Sequence, residues 1–144
     1  MKTLLRISIS VCLIITVTCI SEEHQKLRDS RKKAVEECRK EKPEVSDDDF
    51  ASVYRKESPK NEIQHCVIEC VYEKMGMVKN GKLVYEEISK SFQAMLGHDP
   101  AMLSFVSNFG EECKNEVEQK YGSIPKCGVS DAFHSCMGRK KNGQ

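Results

Sequence analysis

Apolar residues recur every three or four positions along almost the whole chain, and no stretch alternates convincingly as a half-buried strand would. Leu27, Ala34, Val35 and Cys38 share one face of a helix expected over about 23–41, whose opposite face is heavily charged and which Pro43 ends. Ser46 has the character of an N-cap. Asp47, Asp48 and Asp49 follow in a first turn, where the helix dipole favours negative charge, and the short helix is expected to bury Phe50, Val53 and Tyr54. Ser58-Pro59 reads as a cap followed by proline at the first helical position. That third helix carries Ile63, Val67, Val71 and Met75 at strict four-residue spacing, with Gly76 as its stop and Asn80-Gly81 as a turn. A fourth helix over about 84–96 groups Tyr85, Ile88, Phe92, Met95 and Leu96, and Gly97 suits the left-handed position past its end. Asp99-Pro100 repeats the cap-then-proline signature. The fifth helix, expected to be the longest, places Met102, Phe105, Val106, Phe109, Cys113 and Val117 on its inner stripe until Gly122 and Pro125 break it. A last helix over about 130–139 offers Ala132, Phe133, Cys136 and Met137 for burial. The expectation is an all-α fold: one compact six-helix domain with short connections and no internal repeat.

The amino-terminal pattern is of another kind. Lys2 and Arg6 precede an uncharged run from Ile7 to Ile20, and charge returns abruptly at Glu22. That run is shorter than the roughly 20 apolar residues a bilayer-spanning helix needs and has the length of a signal-peptide core. Residues 1–21 are therefore expected to be a signal peptide cleaved between about 18 and 21, leaving a secreted domain over 22–144. Loss of Lys2 and Arg6 takes the basic residues from 23 to 21 against 22 acids, so the formal charge falls from +1 to −1. Such a balance is no footprint for nucleic acid or an anionic membrane, and stable membrane insertion is not expected.

Two of the eight cysteines, Cys12 and Cys19, leave with the signal, and six remain in an oxidising compartment, where three disulfides are expected. They are Cys38, Cys66, Cys70, Cys113, Cys127 and Cys136, with gaps of 27, 3, 42, 13 and 8 residues. Cys66 and Cys70 lie four apart on one helix, with Cβ atoms roughly 5–6 Å apart, too far for a disulfide. Cys127 and Cys136 would be roughly 13 Å apart along a helix axis. Excluding both pairs leaves about ten of the fifteen possible arrangements.

The three-residue and eight-residue gaps, within this set of five spacings, resemble those of the insect pheromone and general odorant-binding proteins. The segment Glu73-Lys74-Met75-Gly76-Met77-Val78-Lys79-Asn80-Gly81-Lys82-Leu83 also resembles that family's junction between its third and fourth helices. The resemblance covers the whole mature chain. It implies three interlocked disulfides, Cys38–Cys70, Cys66–Cys127 and Cys113–Cys136, around an apolar cavity. It also implies a soluble extracellular carrier of small hydrophobic ligands, such as odorants, pheromones or lipid-like molecules, with no cofactor. A membrane chemoreceptor or another extracellular protein would be a further partner. The ligand would lie among Phe50, Val53, Tyr54, Val67, Val71, Met75, Leu83, Ile88, Phe92, Met95, Met102, Phe105, Val106, Phe109, Ala132 and Phe133, with Tyr54, Tyr85, Ser104 and Ser107 as candidate hydrogen-bond donors. Five of the six methionines lie between Met75 and Met137, and such flexible thioethers adapt to varied guests.

One departure qualifies the resemblance. Gly138–Gln144 has no apolar residue, so a tail that enters the cavity as a further helix is not expected. Of the four histidines, His24, His65, His98 and His134, His98 beside Asp99 is placed where a gate would act. No G-x-S-x-G, H-E-x-x-H or P-loop pattern is present, so no enzyme is expected. His65, Cys66 and Cys70 lack the second ligand pair of a structural zinc site, and no metal is expected. Two rival readings share the helices and cysteines. A signalling or toxin-like protein would pack its phenylalanines and methionines solid, and a saposin-like lipid binder would expose its amphipathic faces to vesicles.

Overall fold

The computed structural model describes the backbone of residues 2–55, 59–97 and 99–143, with side chains from residue 22 onward within those ranges. Six α-helices make up about three quarters of it: α1 (Lys2–Glu41), α2 (Asp47–Arg55), α3 (Glu62–Lys74), α4 (Tyr85–Leu96), α5 (Pro100–Gln119) and α6 (Val129–Lys141). The longest is α1 rather than α5, because its backbone helix begins at Lys2 and runs through the expected cleavage region. The side chains of residues 1–21 lie outside the described residues.

Local chemistry sets the helix starts. The Ser46 hydroxyl accepts from the Asp49 N–H at 3.2 Å and donates to the Asp49 carboxylate at 2.5 Å. The same carboxylate accepts from the Gln64 amide at 3.0 Å, joining the starts of α2 and α3. The bonds from Ser46 and Gln64 hold the Asp49 carboxyl below its ordinary pKa. Asp99 caps α5 by accepting from the N–H groups of Ala101 and Met102 at 3.0 and 3.2 Å. The start of α3 departs from the proline signature, and Ser58 lies outside the described residues. Asn61 is the cap: its side chain accepts from the Gln64 N–H at 2.9 Å, while Gln64 accepts from the Lys60 N–H at 2.8 Å. These two bonds satisfy the N–H groups of Gln64 and Lys60, and the helix opens at Glu62.

A small hairpin also appears where no strand was expected. Strands β1 (Val78–Lys79) and β2 (Lys82–Leu83) pair antiparallel, Val78 with Leu83. Asn80 and Gly81 take φ of 53° and 69°, the left-handed pair of a tight two-residue turn. Two residues per strand are too few for alternation to show in sequence.

Two apolar clusters form the core. The smaller joins Ala34, Val35 and Cys38 of α1 to Phe50 and Val53 of α2 and to Val67, Cys70 and Val71 of α3. The larger gathers the hairpin, α4, α5 and α6 around Ile88, Val106, Cys113 and Phe133. Residues four apart on a helix advance by about 40°, so a strict i+4 stripe winds off the core face. Ile63, at one end of the α3 stripe, is accordingly 51% exposed. Helices α4 and α5 approach closely at Gly110, where a Cβ would meet the Tyr85 ring at 2.6 and 2.9 Å, and the Tyr85 hydroxyl donates to the Val106 carbonyl at 3.1 Å. Disulfides join Cys38 to Cys70, Cys66 to Cys127 and Cys113 to Cys136, with Cα separations of 6.0, 4.7 and 5.6 Å. They tie α1 to α3, α3 to the loop before α6, and α5 to α6. Cys66 and Cys70 thus hold one helix to two different partners.

Candidate functional site

A cavity of about 650 Å³ opens where α1, α3, the hairpin, α4 and α6 meet. Its volume falls within the range of small-molecule sites. Gly76, at φ 76°, ends α3 and turns the chain so that Met77, Val78 and Leu83 face inward. Ile88, Phe92 and Met95 follow at i, i+4 and i+7 on the inner face of α4. Met75 of α3 and Phe133 of α6 complete the apolar wall.

One part of the wall is polar. The Tyr72 hydroxyl lies 2.5 Å from His134 Nε2, and the two rings stack with centroids 5.5 Å apart. Both side chains line the cavity, Tyr72 half-buried and His134 exposed. Burial raises the Tyr72 pKa, opposed by Arg31 and aided by Glu69. Burial lowers the His134 pKa, opposed by Asp131 and aided by Arg31. A neutral phenol donating to a neutral imidazole satisfies both groups. Behind this pair, buried Glu69 accepts from the Ser130 N–H at 3.0 Å and from its hydroxyl at 2.6 Å.

The rim belongs to α1. Leu27 and Arg31 are half-buried there, between exposed His24, Gln25, Arg28, Asp29 and Lys32. Arg31 donates to the Val53 carbonyl at 2.6 Å, which fixes its guanidinium beside the opening. Tyr54, expected in the core, instead stands at this rim 48% exposed, because α2 turns only its Phe50 and Val53 side into the smaller cluster.

The sequence model of the PBP/GOBP family matches residues 20–140. The chain belongs to the PBP/GOBP family. No curated protein matches the sequence significantly. Among solved structures, the odorant-binding protein dmelOBP28a of Drosophila melanogaster is similar, with a TM-score of 0.63 over 83% of this chain and 98% of that one. At 23% identity that likeness concerns the fold.

Within this PBP/GOBP chain, seven of the sixteen candidates, Tyr54, Met75, Leu83, Ile88, Phe92, Met95 and Phe133, line the cavity. The other nine candidates lie elsewhere. Phe50, Val53, Val67 and Val71 fill the cluster between α1, α2 and α3. Met102, Phe105, Val106 and Phe109 share α5, none of whose residues reaches the cavity. Val106 is core there, while Phe105 and Phe109 pack on it with ring centroids 5.1 Å apart. Ala132 packs against the same cluster, one residue from Phe133 but off the cavity face. Of the expected donors only Tyr54 is at the cavity, since Tyr85 is committed to Val106, and Ser104 and Ser107 face solvent. His98 lies outside the described residues.

Tyr72, Met77, Val78, Ser130, His134 and the α1 rim are additions that periodicity did not supply. Arg31 carried a signal, because it falls on the stripe that runs Leu27, Ala34, Val35, Cys38. An arginine on an apolar stripe marks a place where that stripe meets a polar partner or an opening.

His134 also sets a pH dependence. Its pKa in the folded protein lies below the ordinary 6.5. Between 6.5 and that lower value the unfolded chain binds the proton and the folded one does not, so stability falls as pH drops through this window. His134→Gln is expected to flatten the slope of the urea midpoint over this pH range, and an unchanged slope would remove His134 as its source.

Proposed function

We propose that this PBP/GOBP protein is a secreted carrier that encloses one small hydrophobic molecule in the cavity between α1, α3, the hairpin, α4 and α6. The observation that carries the reading is the cavity of about 650 Å³ with a wall of methionine, phenylalanine and aliphatic side chains inside a disulfide-tied helical frame. A signalling protein on the same scaffold needs no such space. The reading includes removal of residues 1–21 as a signal peptide and export of residues 22–144. Odorants, pheromones and related lipid-like molecules suit the wall, because burial of apolar ligand area drives association at roughly 25 cal/mol per Å² before the costs of ordering. Delivery to a membrane chemoreceptor or another extracellular protein is the output, with no bond made or broken.

The test is a binding titration on the oxidised protein. An apolar fluorescent probe is expected to bind at micromolar concentration and to be displaced by medium-length alcohols, esters or aldehydes. The chain has no tryptophan, so the signal comes from the probe. Failure of every apolar probe in correctly oxidised protein would overturn the carrier reading.

A further inference from the structure

The charges around the opening are unevenly distributed. Arg28, Arg31 and Lys32 stand at the cavity on α1, with Asp29 as the acid beside them. Asp29 is engaged by the Gln25 amide, which donates to its carboxylate at 3.0 Å. Elsewhere on α1, Lys26 meets Glu22 at 2.8 Å, Lys33 meets Glu37 at 3.9 Å and Arg39 meets Asp47 at 3.2 Å. Arg28 and Lys32 have no carboxylate partner among the described residues. They are four residues apart and therefore project side by side, with Arg31 between them in the same turn.

The polar wall feels both signs of charge, because Arg31 acts on Tyr72 and His134 as well as Glu69 on Tyr72. Glu69 lies behind Tyr72 and His134, held by Ser130, and its negative charge is felt at the Tyr72 hydroxyl. At the α1 rim an anionic group meets three cations, Arg28, Arg31 and Lys32. The same cavity is lined by apolar side chains that include Phe92, Leu83 and Phe133. The geometry points to a long-chain carboxylate as the ligand of this cavity, its head held among Arg28, Arg31 and Lys32 and its hydrocarbon tail enclosed by α4, the hairpin and α6. This assignment rests on the carrier reading above and specifies its ligand class. Guanidinium and ammonium donors form charge-assisted bonds with a carboxylate, which an ester or alcohol of the same chain length cannot match.

Displacement of the dye 1-N-phenylnaphthylamine by palmitate, methyl palmitate and hexadecanol, each below its aggregation limit at pH 7.4, tests the assignment. Palmitate is expected to bind roughly fivefold to tenfold more tightly than its methyl ester, the scale of a part-exposed ion-pair cluster. In the double variant Arg28→Gln/Lys32→Gln the ratio is expected to fall to about twofold or less, while Lys40→Gln, which is exposed and away from the cavity, keeps it. Raising the ionic strength to about 1 M should shrink the wild-type ratio, because exposed charges are screened within a few ångströms there. Equal displacement by palmitate and methyl palmitate, or a ratio unmoved in the double variant, overturns the carboxylate assignment and leaves the carrier reading standing. Absence of dye binding together with no binding of any of the three compounds overturns both.

Discussion

Phe50→Ala is expected to cost about 3–5 kcal/mol of folding stability while changing the affinity for an apolar probe by no more than about twofold. Phe50 is fully buried at 0% exposure, in the cluster that α1, α2 and α3 share. The Arg39 guanidinium covers its ring at 5.2 Å from the centroid. Removing the ring leaves a void that backbone held by Cys38–Cys70 can close only in part. The cavity lies elsewhere, and no Phe50 atom lines it. Phe92→Ala supplies the contrast: Phe92 is half-buried at the cavity wall, so its loss should weaken probe binding several-fold at a smaller cost in stability. Urea denaturation and probe titration on both variants separate the two effects. A Phe50→Ala protein with native circular dichroism but strongly weakened probe binding would return Phe50 to the ligand's wall.

The second large effect belongs to the bridge that spans most chain. Cys66 and Cys127 are 61 residues apart, and closing a loop of that length is worth about 4 kcal/mol in the chain-entropy account. That value is an upper one, because the bridge overlaps both the Cys38–Cys70 and the Cys113–Cys136 loops. Both cysteines are only half-buried, so the double variant Cys66→Ala/Cys127→Ala removes a covalent tie with little packing. Its unfolding midpoint in urea is expected to fall by most of that amount, a large share of the about 5–15 kcal/mol of a typical domain. Probe affinity should fall with it. Helix α3 and helix α6, which follows Cys127, carry the Tyr72–His134 and Glu69–Ser130 contacts at the cavity's polar wall. A loss below about 1 kcal/mol would show that these contacts, rather than the bridge, hold the junction.

Helix number and most boundaries were legible in the chain, because an amphipathic helix writes its buried face at a 3.6-residue period and its ends in capping residues. Asp99-Pro100 and Gly97 stand where such signals place them. The start of α3 was misplaced because two capping signals lie three residues apart, and the Asn61 cap, with Gln64 accepting from the Lys60 N–H, prevails over the proline. The cysteine spacing carried further than any periodicity. Helix geometry excluded pairings, and the family resemblance implied the one found in the structure.

The cavity was legible only in part. Periodicity reports that a face is buried, and it does not distinguish a side chain packed on its neighbours from one that borders a space. Phe92 and Phe105 have the same sequence character, yet α4 turns Phe92 to the cavity and α5 turns Phe105 onto the larger cluster. The sequence by itself determined an all-helical, three-disulfide domain, because helix periodicity, caps and cysteine spacing are local properties of the chain. Only the tertiary structure decided which apolar faces close on one another and which stay apart. It also set Tyr72 against His134 and Arg28, Arg31 and Lys32 at the opening. These juxtapositions join residues tens of positions apart through the relative placement of whole helices, which no local pattern encodes.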